Sequence, residues 1–216
     1  MRIHWDEIFP VLEEFKKRFD LPSVSLIGEE SGSPFKILIS TIISLRTRDK
    51  VTLSASRRLF AVADTAPAMI RLKQRDIEEL IYPCGFFRVK AGNILTISRE
   101  IMGEHGGEVP ATKEGLLAFP GVGLKTANLV LSLGYAVPAI CVDIHVHRIS
   151  NRLGWIETKK PDDSVGALEK VLPLKYWIPV NELLVLFGQK ICTPRNPKCP
   201  HCPLHAFCNR VGVEQS

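Results

Sequence analysis

The stretch FPGVGLKTANLV, residues Phe119–Val130, decides how this chain is read. Phe119-Pro120 ends one apolar run, Gly121 and Gly123 stand one residue apart, and a second helical pattern begins directly after them. The expected local structure is helix, glycine hairpin, helix. The two glycines permit positive φ and close approach of another backbone. A helix start leaves its opening N–H groups without carbonyl partners, and together with the positive end of the helix dipole these suit a phosphate. A GxG pair alone fits a plain helix–helix turn; P-G-V-G followed by K-T-A is more specific. Lys125 then falls in the first turn of the second helix, where a cation is electrostatically misplaced. The same surroundings favour the neutral amine, a nucleophile that can form a Schiff base. A solvated lysine or a simple phosphate contact is the plainer alternative.

Working outward, Asp143 follows eighteen residues later in CVDIHVHR and opens the helical run IHVHRISNRL, closed by Gly154. Its local role is an N-cap. The chain turns through Gly134–Pro138, so an antiparallel return would bring this carboxylate toward Lys125. There it would take a proton from the ammonium and stabilise positive charge developing on a sugar. His145 and His147 are two apart and face different ways on a helix, which makes them poor joint metal ligands. His145 is carried as a candidate phosphate donor.

The remaining pattern is helical nearly throughout. Ser33-Pro34 reads as N-cap and first helical residue, Asp49 as a cap for VTLSASRRLFAV, Asp76 as the start of IEELIY, and Thr112 as the opening of a short helix. A long helix is expected over 87–104, stopped by Gly106-Gly107. Asp162 or Asp163 opens SVGALEKVL, and 173–189 is helical or nearly so. Ile8, Leu12 and Phe15 form one face of an amphipathic N-terminal helix. AICV (139–142) is too short for a strand of consequence. The fold class is therefore all-α, built from about ten helices, with a boundary near 134–138.

The 216 residues suffice for one large domain or two small ones. A formal net charge of +5 is compatible with a polyanionic partner without demonstrating one. No apolar run approaches the length of a membrane span, and the acids early in MRIHWDEIFPVLEEF leave no signal-like apolar stretch. The expected location is cytoplasmic and nucleoid-associated, and the expected state is a monomer with no membrane contact.

Four of the six cysteines crowd the C-terminus in CTPRNPKCPHCPLHAFC: Cys192, Cys199, Cys202 and Cys208, spaced C-x6-C-x2-C-x5-C. Four thiolates over so short a stretch can hold zinc or an iron–sulfur cluster. The first gap is long for a zinc knuckle, the spacing matches neither common ferredoxin run, and His201 and His205 keep zinc open as alternative ligands. Arg195, Lys198 and Arg210 make the same loop basic. Cys84 and Cys141, flanked by apolar residues, read as core thiols.

FPGVGLKTAN, VDIHVHRISNRLG and the cysteine tail, in that order, resemble the endonuclease III family of helix–hairpin–helix DNA glycosylases, with support from ISLRTRDKVT and IYPCGFFRVKAGNI. The resemblance implies two helical domains flanking a DNA-binding cleft. One is a six-helix barrel carrying the hairpin (27–137); the other joins 1–26 to 138–216 and carries the cluster. It implies a bifunctional glycosylase and abasic-site lyase that excises oxidised pyrimidines from double-stranded DNA. Lys125 matches the Schiff-base lysine and Asp143 the essential aspartate. Gly121, Val122 and Gly123 match the phosphate-holding hairpin, and the four cysteines the ligands of a 4Fe-4S cluster. In the same family one residue of ISLRTRDKVT fills the hole left by the extruded base. Many members carry glutamine there; this chain has Arg46, with Phe86 matching the opposing wedge. An adenine-mismatch glycosylase of the same superfamily is the nearest rival, and Lys125, where it typically has a small hydroxyl residue, argues against it.

Overall fold

The computed structural model describes residues 3–213, and among these every regular element is helical. The first helix, α1 (Trp5–Lys16), buries Ile8, Leu12 and Phe15 as their spacing predicts. After it come α2 (Ser23–Ser31), α3 (Pro34–Ser44), α4 (Asp49–Val62), α5 (Ala66–Met69) and α6 (Gln74–Ile81). The long α7 (Phe87–Glu104), the short α8 (Lys113–Leu117) and α9 (Leu124–Tyr135) follow. The chain then continues through an extended segment, in which AICV forms no strand, to α10 (Ile144–Leu153), α11 (Pro161–Val171) and α12 (Pro179–Lys190). Short 3-10 turns at Cys199–His201 and His205–Phe207 shape the cysteine loop.

Packing divides the chain into two compact units, 1–22 with 138–216, and 23–137. The break after residue 26 that the resemblance implies would fall inside α2, whose residues lie wholly in the unit 23–137. α2 and α5 were not foreseen, which raises the expected ten helices to twelve among the described residues.

In the unit formed by 23–137, α3 is the central element. Phe35, Ile37, Leu38, Ile39, Ile42 and Ile43 are all buried, a helix apolar on nearly every side that packs against α2, α4, α7 and α9. Ser33 caps it, accepting a bond from Lys36 N, with Pro34 at the first position. Asp49 proves to be the first residue of α4 and not its cap. Its carboxylate instead accepts bonds from Ser23 N (3.0 Å) and Ser23 Oγ (2.7 Å), so it holds the start of α2. Asp76 stands in the first turn of α6 and accepts from Lys73 N (2.9 Å), behind the start it was expected to mark.

In the other unit, α1 packs on α12 through the Phe15–Phe187 edge contact (5.3 Å) and a Lys16–Glu182 ion pair, while α10 packs on α11 and α12. Trp5, Phe9, Trp155 and Tyr176 form an aromatic cluster in the same unit. α11 starts at Pro161, so Asp162 and Asp163 lie in its first turn, where acids suit the helix dipole, and neither is its cap.

Candidate functional site

The hairpin is built as the sequence suggests, but its two glycines serve different ends. Gly121 has φ 76°, and a Cβ there would stand 2.4 Å from Asn93 Nδ2 of α7. The backbone conformation and the neighbouring side chain therefore both favour glycine at that position. Val122 turns inward, buried, and its N–H donates to Phe119 O (3.2 Å), so it anchors the hairpin. Gly123 is the N-cap of α9 with ordinary extended angles (φ −102°, ψ −179°), no side-chain cap, and open space where a Cβ would point. Neither backbone angle nor internal packing explains a glycine here. A helix start with no side-chain cap, opened by a residue without a Cβ, suits an approaching phosphate. Lys125 follows two residues later, half-buried in the first turn.

The same unit brings Arg46 and Phe86 together, although forty residues separate them in sequence. The guanidinium lies 5.5 Å from the ring centroid. Both residues adopt the left-handed region, at φ 52° and 57°, which is costly for side-chain-bearing residues and marks sites held by their surroundings. Phe86 is 62% exposed, a large apolar ring presented outward from the N-cap of α7. A Cβ on Gly85 would meet Arg46 O at 2.7 Å, so the two loops touch backbone to backbone. Arg58 fixes the second loop by donating to Leu80 O (2.9 Å) and Tyr82 O (2.5 Å).

The other unit supplies Asp143, His145 and the four cysteines. Asp143 is the N-cap of α10; its Oδ1 accepts from His145 N (2.8 Å) and Val146 N (2.9 Å), which fixes the carboxylate and leaves Oδ2 outside the cap. Arg148 Nη2 donates to His145 Nδ1 (3.0 Å). Arginine can only donate, so Nδ1 is the acceptor and the neutral ring carries its hydrogen on Nε2. His147 bonds instead to Ser164 Oγ (2.7 Å), a structural contact with α11.

Sequence reasoning passed over the two arginines of α10. Arg148 Nη2 also donates to Cys192 O (2.9 Å), and burial lowers its guanidinium below its usual value. Arg152 Nη1 donates to Cys192 Sγ (3.4 Å) and Thr193 O (2.7 Å), and its Nη2 donates to Pro194 O (2.7 Å). The i, i+4 spacing of these arginines was the available signal, since it puts both on one helix face.

The four thiols line a single cavity, walled by Ile149, Leu153, Phe187 and Val213. Among the described residues no three ligand-type side chains close on one point, as a single metal ion requires. His205 Nε2 is engaged by Arg210 Nη1 (2.9 Å). Burial pushes the Cys202 thiol up to about 11 and raises Cys208 as well, so thiolates here call for a cationic group to hold them. Sulfur also receives donors: Arg152 on Cys192, and Arg210 N on Cys208 (3.4 Å). An apolar cavity ringed by four sulfurs and N–H donors fits an iron–sulfur cluster.

Comparison with known proteins agrees with this geometry. The family model for the HhH-GPD superfamily base excision DNA repair protein matches residues 39–173, and the iron-sulfur binding domain of endonuclease III matches 192–208. The chain is 49% identical to Endonuclease III of Thermotoga maritima over 84% of its own length and 85% of that protein. It is 37% identical to Endonuclease III homolog 2, chloroplastic, of Arabidopsis thaliana, covering 95% of itself and 57% of that longer protein. Among solved structures it resembles a non-covalent Endonuclease III–DNA complex, with TM-score 0.80, 31% identity and 97% of each chain covered. Among the described residues no helix is long and apolar enough to cross a membrane.

Proposed function

Because the chain belongs to the endonuclease III family of base-excision DNA repair glycosylases and abasic-site lyases, we propose that it excises oxidised pyrimidines from duplex DNA through a Schiff base on Lys125. The observation that carries this reading is the start of α9. A glycine that nothing inside the fold demands opens an uncapped helix, and the candidate nucleophile stands in its first turn. A phosphate of the damaged strand held there brings the adjoining sugar to the amine.

The damaged base must leave the stack to be reached, which opens a gap that Arg46 and Phe86 occupy. The neutral amine of Lys125 attacks the anomeric carbon, the glycosidic bond breaks, and the base departs with its electron pair and takes up a proton. Ring opening and loss of the amine proton give the imine. Abstraction of the proton on C2′ then expels the 3′ phosphate, and the strand is cut by β-elimination. Asp143, which matches the family's essential aspartate, serves as the base that leaves the lysine amine neutral and stabilises positive charge on the sugar during base release. His145 Nε2–H donates to a phosphate.

Cys192, Cys199, Cys202 and Cys208 would hold the 4Fe-4S cluster. When bound it supplies a rigid cross-link between four thiolates; base release and elimination draw on Lys125 and Asp143 alone.

Borohydride trapping tests the reading. Purified protein incubated with a duplex containing one thymine glycol should give a covalent protein–DNA adduct, and Lys125→Ala should give none. Release of the damaged base without any adduct in the unsubstituted protein would make the enzyme monofunctional and overturn the assignment of Lys125.

A further inference from the structure

Lys90 is a lysine in the core. It is 5% exposed and lies one turn into α7, four residues after Phe86. Its Nζ donates to Ile43 O (2.6 Å) and to Thr47 Oγ1 (2.7 Å). Ile43 is in the last turn of α3, where carbonyls run out of helical donors; Thr47 N–H, which would serve it in a longer helix, bonds Ser44 O instead. Thr47 in turn donates its hydroxyl to Leu45 O (3.3 Å). The ammonium thus closes the C-terminus of α3 and fastens the residues on either side of Arg46. Burying an ammonium is expensive, and burial lowers Lys90 to about 8, with only the thiol of Cys84 as a titrating neighbour. A core position that needed only packing would take an apolar side chain. What the lysine achieves, and an apolar residue would not, is a bond between two loops whose outward residues are both left-handed and in contact.

We propose that Lys90 is a positioning residue for the duplex-engaging pair: it ties the end of α3 to the start of α7 and so holds Arg46 beside Phe86. This rests on the reading of Arg46 and Phe86 as the residues that fill the gap in the duplex. It predicts a defect confined to double-stranded substrate, since a single strand has no gap to fill.

The test is steady-state cleavage of an abasic site in duplex and in single-stranded DNA. Lys90→Met should raise the duplex KM about tenfold with kcat within about twofold, and leave single-strand cleavage within about twofold. Thr47→Val, which removes the acceptor of the Lys90 ammonium together with the hydroxyl's own bond to Leu45 O, should shift the duplex KM in the same direction even if Lys90→Met folds poorly. Combined with Arg46→Ala, the effect of Lys90→Met should shrink, because both act through one contact. Equal losses on both substrates, or full additivity with Arg46→Ala, would reduce Lys90 to a structural residue and overturn the proposal. If Arg46→Ala itself leaves the duplex KM unchanged, the reading of Arg46 fails and takes this proposal with it. If Arg46→Ala raises the KM and neither Lys90→Met nor Thr47→Val does, only the assignment of Lys90 is wrong.

Discussion

Two helix starts carry the proposed chemistry, and they are finished in opposite ways. α10 is closed by its own side chain: Asp143 accepts two backbone N–H groups, so the positive end of that helix is already matched by a carboxylate. α9 has no side-chain cap and begins at a glycine in extended conformation, with open space where a Cβ would point. A closed start orients a catalytic group; an open one receives a ligand. Both sequences advertise a helix start, and only the identity of one residue, aspartate against glycine, separates an internal partner from an external one.

The largest effect that would sharpen this contrast comes from Asp143→Asn. Asparagine caps as well as aspartate, so the fold should hold to within about 0.5 kcal/mol in a urea melt. The proton acceptor is lost, and base release should slow by about 10²- to 10⁴-fold. Full activity with an intact cap would confine Asp143 to closing its helix. A collapse of stability would mean that the charge, and not the cap geometry, holds α10.

Much of this was legible because it is local. Asp143 and Gly154 bracket α10, Thr112 and Ser33 cap their helices, and α7 runs over the expected residues, since caps and stops act within one turn of where they are written. The misreadings share a cause. Asp49 looked like a cap for the helix beside it and serves Ser23, twenty-six residues away. Lys90 carries no local signal at all and is held by α3, forty-seven residues back. The closeness of Arg46 to Phe86 came from a family resemblance, because no periodicity links two loops forty residues apart. Single polar residues whose partners are distant in sequence leave no local pattern.

Lys90 closes a third helix end, the C-terminus of α3, and its titration offers the next largest effect. Its folded value of about 8 lies below the ordinary 10.5, so between those limits the unfolded chain holds a proton that the folded chain has lost. Stability should therefore rise with pH across that window, by on the order of 3 kcal/mol at 1.36 kcal/mol per unit. Cys84, raised by burial, pulls the other way above its own ordinary value, so the quantity to measure is the difference between the unsubstituted protein and Lys90→Met. A difference that is flat from pH 8 to 10.5 would mean the ammonium is solvated.

Within the hairpin, Gly121→Ala should cost about 1–2 kcal/mol for a left-handed alanine, with some further displacement of Asn93. A urea melt reads this directly. An unchanged midpoint would show that the hairpin can relax, and would remove the structural distinction between its two glycines.

The smallest change speaks most directly to the open helix start. Gly123→Asp places on α9 the residue that α10 already has. The backbone angles admit any side chain, and no atom stands within 4 Å of the new Cβ. Aspartate ranks slightly above glycine as a cap, so stability should stay level or rise by a few tenths of a kcal/mol. The new carboxylate would occupy the N–H groups offered to phosphate and repel it, so affinity for an abasic-analogue duplex should fall about tenfold or more, equivalent to about 1.4 kcal/mol. A stable variant with weakened binding would establish that α9 is left uncapped for its ligand. Unweakened binding would shift the phosphate contact elsewhere on this unit and leave Gly123 without an account.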